Sequence, residues 1–197
     1  MKRFFWMSCA LALSILPAFL MSGCGAETAS ASAAAVRKES PAERGRYLVT
    51  SMGCGDCHSP KKMTPQGPVE DTSRRLAGHP EGTSLPAPPA AAGPWIASAS
   101  WDQTAWAGPW GITYATNLTP DQNTGLGIWT EDMFVTALTT GRHMGASRPI
   151  LPPMPWQALR NLSDSDLRAI YAYLKTLPPV HNRVPDPAPP AAAMPAR

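Results

Sequence analysis

The segment Cys54-Gly55-Asp56-Cys57-His58 constrains this chain more than any other part of its sequence. Two cysteines separated by two residues and followed at once by a histidine form the pattern through which c-type haem is attached. On a tight turn the two thiols reach both vinyl groups of one porphyrin, and the next residue turns its imidazole toward the iron. We therefore predict one covalent haem c on Cys54 and Cys57. His58 is the predicted proximal ligand through Nε2, and its other ring nitrogen is expected to donate to a backbone carbonyl.

Two other interpretations of this motif are weaker. A redox-active dithiol or a disulfide would need a thioredoxin-like βαβ setting, and no parallel-strand pattern precedes Cys54. A zinc site would need further ligands at suitable spacing, whereas His79, His143 and His181 are isolated in the sequence.

The N-terminus has the pattern of an export signal, because Lys2 and Arg3 precede an apolar run over residues 4–21. The sequence Met21-Ser22-Gly23-Cys24 resembles a bacterial lipoprotein processing site. We predict a signal peptide over 1–23, a lipid on Cys24 and an Ala/Ser-rich tether over 24–40, which together hold the protein on the periplasmic side of a bacterial membrane.

The alternatives to a lipid anchor are cleavage further along, in the Ala/Ser stretch, or an uncleaved membrane anchor. Pro17 interrupts the apolar run, and the run is marginal in length against the roughly 20 residues that a spanning helix needs. These two features count against the uncleaved anchor.

Composition limits the classes of partner. The chain has 17 basic and 14 acidic residues, and cleavage of the signal would remove two of the basic ones. Nucleic-acid binding needs a concentrated Lys/Arg surface, so we do not expect it. No nucleophile and base pair, phosphate-binding loop or metal-ligand helix is visible. We therefore expect an electron carrier rather than an enzyme.

Capping signals and apolar spacing predict three helices. Ser40-Pro41-Ala42-Glu43 supplies an N-cap, a proline at the first helical position and a capping-box acid, so a helix should run from there to about Met52. A second should cover 131–140 and end at a glycine. A third should begin after Ser163 and stop before the prolines at 178 and 179.

These features together resemble a class I c-type cytochrome, in which an N-terminal helix bearing the haem motif crosses a C-terminal helix. Gly45 and Tyr171 stand where that family places a small residue against an aromatic one. Residues 114–121, 124–127 and 153–156 are similar to stretches in the haem domains of cytochrome subunits of periplasmic alcohol and sugar-acid dehydrogenases. Those subunits usually carry several haem motifs, whereas this chain has one.

The resemblance implies an all-α, cytochrome c-like fold over 41–180, with a few helices wrapped round a single covalent haem. It also implies redox partner proteins, a dehydrogenase as electron donor and an oxidase or another cytochrome as acceptor.

The sixth iron ligand is expected to be a thioether, and the nine methionines reduce to two candidates. Met154 lies between two prolines, whose fixed dihedrals suit a segment that holds a thioether against iron, and a short loop separates it from the C-terminal helix. We predict Met154. Met144 and His143, in a more flexible stretch, are the alternative ligands, and Met154 as a gap-filling core residue is the other interpretation.

Two axial ligands would leave iron no open position, and a neutral thioether favours the ferrous state, so the predicted function is electron transfer by a haem that alternates between the ferric and ferrous states. One alternative is a permanent cytochrome subunit of a dehydrogenase complex. The other is a haem enzyme or sensor whose distal ligand is displaced by a small molecule.

Residues 59–111 are rich in proline and contain Trp95, Trp101, Trp106 and Trp110. We expect a long ordered loop over the haem edge, in which the tryptophans either form a docking surface or fill a small core. In the same stretch, His79 and the arginines at 74 and 75 are expected either to bind haem propionates or to be solvated. Residues 181–197 are predicted to be a disordered or polyproline tail.

Overall fold

The computed structural model describes residues 38–88 and 95–190. The predicted signal peptide over 1–23, the lipidation site Cys24 and the tether as far as residue 37 lie outside these ranges. Within them, five α-helices occur: α1 (Pro41–Ser51), α2 (Cys54–His58), α3 (Glu131–Thr140), α4 (Trp156–Leu159) and α5 (Asp164–Leu174). None of the described helices has the length and apolar character needed to cross a membrane.

The three long helices begin where their capping residues predict. At α1, the Ser40 hydroxyl accepts a hydrogen bond from the Glu43 backbone N–H while the Glu43 carboxylate accepts one from the Ser40 N–H. The side chains of Thr130 and Ser163 accept equivalent bonds at α3 and α5. These bonds satisfy N–H groups that the first turn of a helix leaves unpaired, so local sequence is sufficient to place each start.

The core lies where α1 packs across α5. Both helices place buried aliphatic side chains in one cluster together with α3 and two loops; its members are Leu48, Val49, Leu76, Leu126, Phe134, Leu138, Leu167, Ile170 and Leu174. At the crossing, a Cβ on Gly45 would lie 1.8 Å from the backbone oxygen of Ala169 and 2.8 Å from the Cβ of Tyr173. The helices therefore touch backbone to backbone, which only glycine at position 45 permits.

The aromatic residue beside Gly45 is Tyr173, so the pairing with Tyr171 implied by the family resemblance is wrong. Two residues along a helix turn the side chain by about 200°, so Tyr171 points to another face than Tyr173. Its hydroxyl donates to the carbonyl oxygen of Trp129 at 2.7 Å and its ring lies 5.7 Å from that of Phe134.

The fold is mostly helical but not all-α, since two small antiparallel sheets occupy the region that was expected to be one long loop. In the first, β1 (Lys61–Thr64) pairs with β2 (Gly67–Glu70). In the second, the strand order is β3 (Ser98–Ala99), β4 (Ala105–Gly108) and β5 (Gly111–Tyr114). Strands of two to four residues are too short to show an alternating pattern, and glycine and proline within them weaken the signal further.

The tryptophans of this region do not act together as a core. Trp95 and Trp101 expose 78% and 55% of their surface, whereas Trp106 and Trp110 on or next to β4 are half-buried. The core-filling interpretation is therefore wrong for the first two.

The prediction of a loose tail from residue 181 is wrong for the part that the structure describes. Asn182 is fully buried, and Ala188 pairs with Ile112 through two backbone hydrogen bonds of 2.8 and 2.9 Å. The prediction of disorder rested on the proline- and alanine-rich composition. Composition does not reveal that a single residue, Asn182, anchors the segment.

Candidate haem site

The haem-attachment motif forms α2, a single helical turn directly after α1. Residues three and four apart on a helix lie on the same face, so this turn brings Cys54, Cys57 and His58 together on one side. Both cysteines are half-buried free thiols, and His58 is 9% exposed. The sequence spacing thus becomes the spatial arrangement that attachment at two points and ligation at a third require.

The ring of His58 is held by a backbone carbonyl, as expected for a ligating histidine. Its Nδ1 lies 2.8 Å from the carbonyl oxygen of Thr116. A carbonyl can only accept, so Nδ1 carries the proton, and in the neutral imidazole Nε2 is left with a lone pair. Burial lowers the pKa of His58, opposed by the bond to Thr116, so the ring is neutral at pH 7. A neutral imidazole with a free Nε2 is the form that binds a metal.

Two chain segments next to His58, residues 76–79 (the first segment) and 115–118 (the second), are joined to each other by backbone hydrogen bonds. The His79 N–H donates to the carbonyl oxygen of Ala115, and the Leu118 N–H donates to that of Leu76, both at 2.8 Å. Gly78, in the middle of the first segment, donates its N–H to the carbonyl oxygen of His58 at 2.7 Å. One segment therefore holds the backbone of His58 and the other holds its ring. Neither Gly78 nor Thr116 could be identified for this role from the sequence, because both act through backbone groups.

The thiols have the protonation state of structural cysteines. Burial raises the pKa of Cys54 and of Cys57, and the nearby charge of Lys61 opposes the shift at Cys57. Both are therefore protonated at neutral pH, unlike the low-pKa thiolates of redox-active dithiol motifs. The geometry of α2 and the chemistry of its side chains fit covalent haem better than a dithiol switch.

Met154 lies in the loop between α3 and α4 and packs, half-buried, against the core cluster. Near Met154, the Trp156 N–H donates locally to the carbonyl oxygen of Met154 at 2.9 Å, and the Thr113 hydroxyl, from another element, donates to that of Pro152 at 2.7 Å. Thr113 is a further residue that sequence analysis did not single out.

The alternative ligands occupy a 3-10 turn over His143–Gly145. The His143 ring lies edge-on to Trp129, with 5.1 Å between the ring centroids, and Met144 has a left-handed backbone with φ 54°. The hydrophobic side chains packed on the core cluster include Met154 but not Met144.

The basic residues considered for haem propionates have partners within the protein. Arg74 donates to the Asn182 side chain at 2.8 Å, and Arg75 pairs with Glu70 at 3.0 Å. His79 is fully buried with Nδ1 2.7 Å from the Thr104 hydroxyl. His79 is thus neither solvated nor at the surface.

No protein-family model matches the chain, but several characterised proteins do. It is 34% identical over 140 residues to the cytochrome c subunit of alcohol dehydrogenase (quinone) from Gluconacetobacter polyoxogenes, which covers 70% of this chain and 24% of that protein. It is 30% identical over 131 residues to the gluconate 2-dehydrogenase cytochrome c subunit of Pantoea cypripedii, covering 66% and 22%. The chain is homologous to the cytochrome c subunits of alcohol and gluconate dehydrogenases.

This homology confirms the resemblance predicted from the sequence, and it supports a cytochrome c fold for the helical body. The chain is also 37% identical over 68 residues to the fructose dehydrogenase cytochrome subunit of Gluconobacter japonicus. This match covers 34% of the chain and 14% of that protein. The chain spans a quarter or less of the length of each of these relatives.

Proposed function

We propose that the chain carries a single haem c bound covalently to Cys54 and Cys57, and that it transfers single electrons between periplasmic redox proteins. The observation that carries this proposal is the buried His58 ring, whose Nδ1 is bonded to Thr116 and whose Nε2 bears the lone pair, on the same helical turn as two free thiols. When bound, the haem iron would supply a one-electron couple between the ferric and ferrous states.

Each residue of the site has a defined task in this proposal. Cys54 and Cys57 would hold the cofactor by thioether bonds, so that a small domain keeps it without enclosing it. His58 would present Nε2 to the iron in one orientation, because Thr116 fixes the ring and Gly78 fixes the backbone. Such outer-ligand hydrogen bonds also raise the basicity of the ligating imidazole.

The test of this proposal is the haem content of the protein exported with a cytochrome c maturation system. A pyridine haemochrome assay should give one covalent haem for each chain. Replacing both Cys54 and Cys57 by serine should abolish covalent haem, whereas the export and folding of the polypeptide can be followed independently by immunoblotting. Covalent haem retained in the double variant would refute the assignment.

We assign Met154 as the sixth ligand. Three observations support it over Met144 and His143: it packs against the core, the Thr113 hydroxyl holds the backbone two residues before it, and the His143 ring lies edge-on to Trp129. The weak absorbance band near the red end of the ferric spectrum marks thioether ligation. Met154→Ala should abolish this band and Met144→Ala should retain it; the reverse result would move the assignment to Met144.

A six-coordinate iron also distinguishes the carrier from a haem enzyme or sensor. With both axial positions filled, the reduced protein should not bind carbon monoxide readily at neutral pH, whereas Met154→Ala should. Ready binding by the unaltered protein would favour a displaceable distal ligand and count against the carrier.

The proposed location is the periplasmic side of a bacterial membrane, with the haem domain tethered through a lipid on Cys24. The support is the N-terminal sequence pattern alone. Mass spectrometry of the N-terminal peptide tests it, since an unmodified N-terminus beyond Cys24 would exclude the lipid.

A permanent cytochrome subunit of a dehydrogenase complex is the second candidate, favoured by the relatives, which are named as subunits of dehydrogenases. Purification from membranes distinguishes the two candidates. A second chain that remains with the haem protein through size-exclusion chromatography would favour the subunit, and a monomer in detergent would favour the free carrier.

A further inference from the structure

The hydroxyl of Thr113 connects the second sheet to the loop that contains Met154. Thr113 is buried on β5, and its Oγ1 lies 2.7 Å from the carbonyl oxygen of Pro152, which is 39 residues away in the chain. Pro152 precedes Met154 by two residues. Through this bond, a side chain outside the loop holds the loop backbone just before Met154.

The hydroxyl has a second acceptor within reach, but it can serve only one of them. Oγ1 also lies 3.3 Å from the carbonyl oxygen of Trp106, the residue opposite Thr113 on β4. A threonine hydroxyl has one proton, and hydroxyl donors form their strongest bonds near 2.7 to 2.8 Å. The proton therefore goes to Pro152, and the sheet gains little from Thr113 for its own pairing.

The same stretch of chain also holds the proposed proximal ligand. Thr116, three residues after Thr113, provides the carbonyl oxygen that fixes the His58 ring. Thr113 and Thr116 thus connect one short segment to the proximal ligand and to the loop of the proposed distal ligand.

The geometry points to Thr113 as a positioning residue for the sixth iron ligand, an inference that rests on the proposed assignment of Met154. The bond to Pro152 restrains the loop just before Met154, which would place its thioether on the iron of the bound haem. Without the hydroxyl, the Pro152 carbonyl would be free to turn to water, since Pro152 itself is exposed. The loop would then leave the iron more often, and an external ligand would replace the thioether more easily.

Imidazole competition measures this directly on the purified ferric holoprotein. Imidazole binds only when the thioether has left, so its apparent affinity reports how often the loop opens. Loss of one net hydrogen bond should raise that affinity about fivefold in Thr113→Val, which keeps the side-chain shape. Thr113→Ser, which keeps the hydroxyl, should match the unaltered protein.

A second pair guards against poor folding of the valine variant. Thr113→Ser and Thr113→Ala differ by one oxygen, so the Thr113→Ala protein should bind imidazole more tightly than the Thr113→Ser protein. Thr176→Val is the control, because this exposed threonine just past the end of α5 donates to the carbonyl oxygen of Tyr173, at 2.6 Å, and not to the loop of Met154; its imidazole affinity should be unchanged.

Equal imidazole affinities for the hydroxyl-bearing and hydroxyl-lacking members of either pair would overturn the role of Thr113, even where the red ferric band confirms Met154. A ferric spectrum without that band, or a band that survives Met154→Ala, would overturn the ligand assignment and the positioning role together. The two failures are therefore distinguishable by spectra recorded on the same samples.

Discussion

The backbone N–H of Gly78 donates to the carbonyl oxygen of His58 at 2.7 Å, with Gly78 in a left-handed conformation of φ +80°. A Cβ at this position would lie 2.5 Å from the Ala115 oxygen and 2.7 Å from the Thr116 oxygen. The peptide that Gly78 touches is therefore the one that orients the His58 ring. Because Gly78 has no side chain, it can bond to the His58 backbone and at the same time lie against the Ala115–Thr116 backbone that holds the His58 ring.

Gly78→Ala should accordingly damage the haem site as well as the fold. A left-handed alanine costs about 1 kcal/mol, and overpacking against the peptide at Thr116 should add about 1 to 3 kcal/mol. Gly82→Ala is the matched control, because Gly82 has φ +74° with no atom within 4 Å of a Cβ. Urea unfolding and covalent haem yield measure both effects; equal losses in the two variants would contradict the role of Gly78.

Gly45→Ala should separate α1 from α5. The added carbon would overlap the Ala169 oxygen at 1.8 Å, and neither backbone can yield without moving a whole helix. We expect a loss of about 3 kcal/mol or more in the free energy of unfolding, measured by circular dichroism in urea. Gly55→Ala is the comparison within a helix, since its Cβ would meet only ordinary contacts at 3.4 and 3.5 Å. A mild effect at Gly45 would refute the backbone contact.

Asn182→Ala should show that the C-terminal segment belongs to the folded domain. The Asn182 amide donates to the carbonyl oxygens of Ala77 and His79, and its oxygen accepts from Arg74 and from the Glu81 N–H. Leaving these groups unpaired in a buried site should cost about 3 kcal/mol of unfolding free energy.

The exposed Asn161 provides the control for this substitution. It donates only to local carbonyls, those of Gln157 and Ala158, so Asn161→Ala should cost less than about 1 kcal/mol. Denaturant titration of both variants makes the comparison. An Asn182 variant as stable as the Asn161 variant would mean that the segment contributes nothing to the fold.

The ion pair between Arg44 on α1 and Asp166 on α5, 2.8 Å long, should make stability depend on acid. The hydrogen bond from Arg44 holds the pKa of Asp166 below its ordinary value, more than burial raises it. The contribution is therefore present above the ordinary aspartate pKa, near pH 4, and is lost as pH falls through the lower folded value.

Asp166→Asn should remove this part of the acid dependence. The free energy of unfolding of this variant should therefore fall less than that of the unaltered protein as the pH is lowered through the ordinary aspartate pKa, from about 5 to about 2. Arg44→Gln should have a smaller effect of the same sign, because a hydrogen bond with Ser163 also lowers the pKa of Asp166. In the Arg44→Gln background, Asp166→Asn should change the pH slope less than it does in the unaltered protein, and the remaining change comes from the Ser163 bond; additive slopes would show that the two residues act independently.

Local sequence was sufficient for the features that depend on neighbouring residues. The haem motif needs only five consecutive residues, and on one helical turn they lie together whatever the rest of the chain does. The starts of α1, α3 and α5 follow from capping side chains that bond N–H groups three residues away. The long helices and the proposed attachment chemistry were therefore predictable without a fold.

Tertiary structure decided the contacts that give this motif its setting. Thr116 meets His58 across 58 positions of sequence, Thr113 meets Pro152 across 39, and Asn182 meets Ala77 across 105. Backbone carbonyls are the acceptors in all three pairs, and every residue carries one, so composition and spacing cannot show which carbonyl is used. That choice depends on how the small sheets and the C-terminal segment pack around α1 and α5, because packing alone brings these distant groups to hydrogen-bond distance.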